Sequence, residues 1–174
     1  MAWIMENLTG KSTERRAEPY LDEALKADLE ARVLPRYPTR RAATLPVLHA
    51  LQDRYGFLAP QALEEAAAFL GLQPAEVFDT ASFYEMFALR PRGKYLVMVC
   101  QSISCELCGH HGLLEALQAK LGIKPGQTTP DGKFTLMHGE CLGSCGSAPC
   151  ALINDKLHEN LTPEKLADVL EKLS

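Results

Sequence analysis

The first ninety residues contain no cysteine; all six lie between Cys100 and Cys150. Whatever sulfur chemistry the chain performs is therefore confined to its second half. Positive charge is not in excess either. A formal net charge of -4 argues against a nucleic-acid partner, which would select a basic face. No apolar run is long enough to span a bilayer, so no direct membrane insertion is expected. The sequence has no G-x-G-x-x-G, no G-x-x-x-x-G-K-[ST] and no H-E-x-x-H, which leaves it without a readable nucleotide site of its own. The opening stretch MAWIMENLTGKSTERRA lacks an apolar core and carries mixed charge. It reads as a flexible tail over residues 1–18 rather than a secretory signal. Thiols of an unexported chain sit in a reducing cytoplasm. Six of them there point to metal or redox chemistry before structural disulfides.

What is present begins with helices. The 174 residues suffice for one ordinary domain or a small domain with a helical extension. Leu21, Leu25, Leu29 and Val33 recur at a spacing of four, one face of a helix stopping near Pro35. Leu48, Leu51 and Tyr55 mark a second helix before Gly56. Ala59-Pro60 opens a third, with Leu63, Ala66, Ala67 and Leu70 on one side and Gly71 as its end signal. Pro74 starts a fourth, striped by Val77, Ala81, Tyr84 and Ala88. A helical bundle over residues 19–90 accounts for all of this. The cluster Phe83-Tyr84-Glu85-Met86-Phe87 reads as core or docking surface, not as a cofactor box.

After Pro91-Arg92-Gly93 the pattern changes, and residues 91–174 read as a small α/β domain. Tyr95 to Val99 is a continuous apolar run, the signature of a strand buried on both faces. Leu113, Leu114, Leu117 and Leu121 make an amphipathic helix ended by Gly122. Phe134 to Met137 is a second strand, and Ala151–Ile153 with Lys156–His158 is a hairpin turning at Asn154-Asp155. A last helix has Thr162 as N-cap, Pro163 at its first position and Leu166, Val169, Leu170 and Leu173 as its buried stripe. This order predicts a parallel first pair of strands.

Cys100 ends the first strand and Cys141 follows the second, so both loops are expected on one edge of the sheet, where open α/β sheets place ligands. Cys100-x4-Cys105 and Cys141-x3-Cys145 would then converge, each pair offering two thiolates. Four thiolates suit zinc or a [2Fe–2S] cluster. Spacing permits both, but a domain with enough core to fold without a metal staple favours iron–sulfur. Two rivals share the same stretch. Cys100-x4-Cys105-x2-Cys108 with a distant fourth cysteine has the plant-type ferredoxin spacing, which would leave Cys145 idle. Cys105-Glu-Leu-Cys108 also has the C-x-x-C spacing of a dithiol oxidoreductase. His110 and His111 read as a solvated loop.

The stretches VCQSISCELCG, ECLGSCGSAP and LIND, preceded by LPVLHALQDRYGFL and TASFYEMF, resemble the 24 kDa-type subunits (the E subunits) of NADH–quinone oxidoreductase, bacterial respiratory complex I. The resemblance runs from Leu21 to Leu173. It implies an N-terminal helical bundle followed by a thioredoxin-like [2Fe–2S] domain, with Cys100, Cys105, Cys141 and Cys145 as the cluster ligands. It implies no catalytic side chain. The chain would accept or buffer one electron from FMN on a partner subunit that also binds NADH. Further peripheral-arm subunits would lie nearby, on the cytoplasmic face of the membrane. Related diaphorase modules of NAD-reducing hydrogenases and formate dehydrogenases imply the same cluster in another assembly. All-cysteine ligation implies a low potential, about -400 mV as in plant-type ferredoxins. Cys108 and Cys150 match no family ligand; the family usually has an apolar residue where Cys150 stands. Both read as small buried or half-buried hydrophobes, with a bridge between them as the alternative.

Overall fold

Leu21 is fully buried just ahead of the first helix, and Asp22 turns the chain into it. The computed structural model describes residues 15–173 and divides between Pro91 and Arg92 into two compact units. Most of the tail expected over residues 1–18 lies outside the described residues.

In the first unit, the Asp22 carboxylate accepts the Leu25 N–H at 2.8 Å and starts α1 (Glu23–Asp28). The single helix expected to reach Pro35 does not hold its pitch. It widens into a π-turn over Leu29–Val33, closed by Leu34 N–H to Leu29 C=O, and then tightens to a 3-10 turn over Leu34–Arg36. Proline has no N–H to continue the ladder and clashes with the preceding turn. The apolar face survives the change: Leu29 is buried while Leu25 and Val33 pack against the core.

Three further helices follow, α2 (Thr44–Tyr55), α3 (Pro60–Leu70) and α4 (Pro74–Phe83). Prolines open α3 and α4 at positions where no N–H is needed. At α4 Gln73 and Glu76 form a reciprocal capping box. The stripe expected through Tyr84 and Ala88 ends early, because Tyr84 is extended. The reason is Gln52 of α2, itself buried. Its Nε2 donates to the Met86 carbonyl at 2.7 Å and its Oε1 accepts the Ala88 N–H at 2.6 Å. A side chain thus satisfies backbone groups that a longer helix would have satisfied within itself. The aromatic cluster splits accordingly: Phe87 is buried, whereas Phe83 and Met86 are exposed.

The second unit runs β1 (Tyr95–Cys100), α5 (Ile103–Leu107), α6 (His110–Leu121), β2 (Gln127–Thr128), β3 (Phe134–Gly139), β4 (Ala151–Ile153), β5 (Lys156–His158) and α7 (Pro163–Glu171). Its strands form one five-stranded sheet of order β2-β3-β1-β4-β5. β1 is central, parallel to β3 and antiparallel to β4. The parallel first pair and the hairpin at Asn154 are as the sequence predicts. The Asn154 side chain fixes that turn, its Oδ1 accepting the Leu96 N–H at 2.9 Å.

Val97 and Val99 of β1, Phe134 and Leu136 of β3, and Ala151 and Ile153 of β4 share one core with Leu113 and Leu117 of α6 and Leu166 and Leu170 of α7. The expectation that β1 is buried on both faces is corrected here: Leu96 and Met98 are only half-buried. Alternation of side chains sends odd-numbered residues to the helices and even-numbered ones away from them. The histidines are also corrected. Gly109 separates α5 from α6, so His110 opens a helix and is buried, while only His111 is exposed and pairs with Glu106 at 2.6 Å.

Candidate iron–sulfur centre

Parallel pairing aligns Cys100 with Gly139, so the loops leaving β1 and β3 start at the same edge of the sheet. The first contains α5 and carries Cys105; the second carries Cys141 and Cys145 and returns to β4 through Cys150. Close approach is built in at Gly139, where a Cβ would lie 2.6 Å from Met98 Sδ. A side chain there would force Met98 to move its thioether aside.

The sulfurs form two groups. Cys100, Cys105 and Cys150 lie with their Sγ atoms within 4.8 Å of one another, all buried, with Leu142 and Ala148 packed against them. Cys105 and Cys150 are 3.9 Å apart. Cys141 and Cys145 are both exposed and sit 3.5 Å apart. Cys108 is exposed at the C-terminal end of α5 and stands outside both groups. Of the four ligands the resemblance implies, each pair meets its own partner. Cys150, read as an apolar filler, joins the first pair.

Backbone groups are aimed at these sulfurs. Burial pushes the Cys100 thiol up, but the N–H groups of Ser102 and Leu142 favour its thiolate and bring it below the ordinary thiol range. Cys105 is raised by burial, against the opposing effect of the Cys150 N–H. Burial, then the neighbouring Cys105, pushes Cys150 up to about 12. Cys145 is raised by its contact with Cys141. The Gly143 N–H donates to Cys141 Sγ at 3.4 Å, and Gly143 takes φ 79°, a conformation that favours glycine. The 3-10 turn Cys145–Ser147 is held from outside by Glu159, whose carboxylate accepts from the Ser144 and Ser147 hydroxyls.

This donor set fits an iron–sulfur cluster. Thiolates from two loops, half buried and half exposed and supplied with N–H donors, are what an anionic cluster needs. They fit the dithiol reading poorly. A nucleophilic C-x-x-C cysteine is exposed with a lowered pKa, whereas Cys105 is 1% exposed and raised.

The sequence profile of the thioredoxin-like [2Fe–2S] ferredoxin family matches residues 31–174. The chain belongs to that family. It is 42% identical over 147 residues to the E 2 subunit of NADH-quinone oxidoreductase from Rhizobium meliloti, covering 84% of this chain and 87% of that protein. It is 40% identical over 151 residues to NADH-quinone oxidoreductase subunit 2 of Thermus thermophilus, covering 85% and 83%. Among solved structures, a chain of an NAD+-reducing [NiFe]-hydrogenase in the air-oxidized state is similar at a TM-score of 0.65 and 32% identity, covering 72% of this chain. This chain spans only 22% of that one. Within the thioredoxin-like [2Fe–2S] ferredoxins the chain is thus of the 24 kDa type found in NADH–quinone oxidoreductase.

Sequence reasoning missed α5 and the place of Cys150. The signal for Cys150 lies in β4: pairing of Val99 with Ala151 puts the preceding residue beside Cys100, whose N–H donates to the Cys150 carbonyl at 3.1 Å.

Proposed function

We propose that this chain is the electron-transfer subunit of an NADH-oxidising module of the respiratory complex I type. It holds its [2Fe–2S] cluster on Cys100, Cys105, Cys141 and Cys145. The observation that supports the reading is that the loops leaving parallel β1 and β3 start at one sheet edge, one carrying Cys100 with Cys105 and the other Cys141 and Cys145, 3.5 Å apart. When bound, such a cluster takes one electron at a time, which complements a partner's flavin receiving two from NADH as hydride.

The residues of this chain do the rest. Cys100 and Cys105 grip from the buried side, where Leu142 and Ala148 exclude water. Cys141 and Cys145 would hold the cluster from the surface, leaving that edge open toward a partner. The N–H groups of Ser102, Leu142 and Gly143 stabilise negative charge on the sulfurs. No side chain of the site transfers a proton or forms a covalent bond to substrate. The partner is an FMN- and NADH-binding subunit, with other peripheral-arm subunits beyond it, and the module sits at the cytoplasmic face of the membrane. Among the described residues no helix is long and apolar enough to cross a bilayer, which suits a peripheral position.

Likeness to the NAD+-reducing hydrogenase chain favours one second reading, the same electron-transfer role in a diaphorase module. Anaerobic purification tests both. Two irons per chain and an EPR signal after dithionite are expected; a colourless chain with one zinc would overturn the cluster reading. Co-purifying subunits then separate complex I from a hydrogenase or formate dehydrogenase.

A further inference from the structure

Cys150 is a sulfur with no task in the scheme above. It is 1% exposed and sits 3.9 Å from Cys105 Sγ, within 4.8 Å of Cys100 Sγ. Its own backbone is locked in place from both sides. The Cys150 carbonyl accepts the Cys100 N–H at 3.1 Å, and the next residue, Ala151, pairs with Val99 across the β1–β4 ladder. The thiol is thus held against the ligand pair by the sheet itself and is not a mobile surface group. Between two free thiols either sulfur could donate the 3.9 Å hydrogen bond. A metal-bound cysteine is deprotonated outright and is then an acceptor only. Once Cys105 is a ligand, the one proton left at this contact belongs to Cys150, and its direction is fixed.

We propose that Cys150 is a tuning residue for the cluster: its S–H donates a hydrogen bond to the Cys105 ligand sulfur and raises the reduction potential of the site. The inference rests on the ligand set proposed above. Hydrogen bonds to cluster sulfurs are among the levers that set potential, because they stabilise the more negative, reduced state. An apolar side chain at position 150 would keep the backbone N–H and the packing and lose only the S–H. A chain with valine there would therefore hold the same cluster at a lower potential.

The test uses the full chain with its cluster, as wild type, Cys150→Val, Cys150→Ala and Cys150→Ser. Three quantities are read: iron per chain, midpoint potential by EPR-monitored titration, and the Fe–S stretching bands by resonance Raman in H2O and D2O. In Cys150→Val the cluster is expected to remain and the potential to fall. The fall should correspond to about a two- to tenfold drop in the reduced-to-oxidised ratio at fixed ambient potential, tenfold being about 59 mV for one electron. Part of the H/D sensitivity of the bands should vanish with it. Cys150→Ser, with a stronger donor, should restore the wild-type potential or exceed it. An unchanged potential in a Val or Ala variant that keeps its cluster would overturn the tuning role and leave the ligand set standing. Loss of the cluster in both Val and Ala, with retention in Cys141→Ser or Cys145→Ser, would overturn both and make Cys150 a ligand. If only one of Val and Ala holds its cluster, the potential is read on that one.

Discussion

Cys105 and Cys108 are three residues apart, yet one is 1% exposed and the other open to solvent. Cys108→Ser is therefore expected to keep its full iron content and absorption, whereas Cys145→Ser should lose most of both. Measuring iron per chain on the two variants checks this, and the reverse pattern would restore the plant-type ligand set. Both cysteine pairs were legible in the sequence because each is a local feature, closed within a few residues of a recognisable strand. Cys150 was not. Its closest sulfur is 45 residues away, and that contact exists only through the antiparallel pairing of β1 with β4. The buried face of His110 was hidden for a related reason: a restart of helix after Gly109 leaves no periodic signal over so few residues.

Capping sets the limits of the helices, and two caps give quantitative expectations. The Arg54 guanidinium, bonded to Asp22 at 2.5 and 3.0 Å, holds its carboxyl below the usual carboxylate range, with help from the Leu25 N–H. A depressed folded-state pKa contributes stability that is complete above the unfolded value, about 3.9, and is lost as pH falls through the folded one. Asp22→Asn retains a good N-cap and removes only the charge. It should be less stable than wild type at neutral pH, with the gap closing on acidification; urea midpoints at stepped pH values would show this. Two residues before Arg54 on α2, Gln52→Ala leaves the Met86 carbonyl and the Ala88 N–H without their partner. A loss of about 1–3 kcal/mol in denaturant unfolding is expected. The helices themselves were readable from their stripes and prolines. The end of α4 was not, because the side chain that stops it comes from α2, 34 residues before Met86.

Taken whole, the chain confines its cysteines to the second unit. The buried residues from Tyr20 to Phe87 form a core of their own that contains no cysteine, and the sheet with α6 and α7 forms another. Removing iron with a chelator under anaerobic conditions is accordingly expected to lower the unfolding temperature of the second unit and leave that of the first in place. Calorimetry should show two transitions of which only one moves. The register of β1 with β3 also governs where the chain tolerates a change of length. Gly132 and Lys133 are tied to the start of β1, their carbonyls accepting the Lys94 and Tyr95 N–H groups at 3.0 and 2.8 Å, so an insertion is best absorbed ahead of them, at Pro130–Asp131. One residue added or deleted between Phe134 and Gly139 would slide everything after it by about 3.3 Å and turn it to the opposite face. Cys141 and Cys145 would then be carried away from Cys100 without any cysteine having been altered. Relatives of this chain should vary in length before Gly132 and hold it constant from there to Cys145.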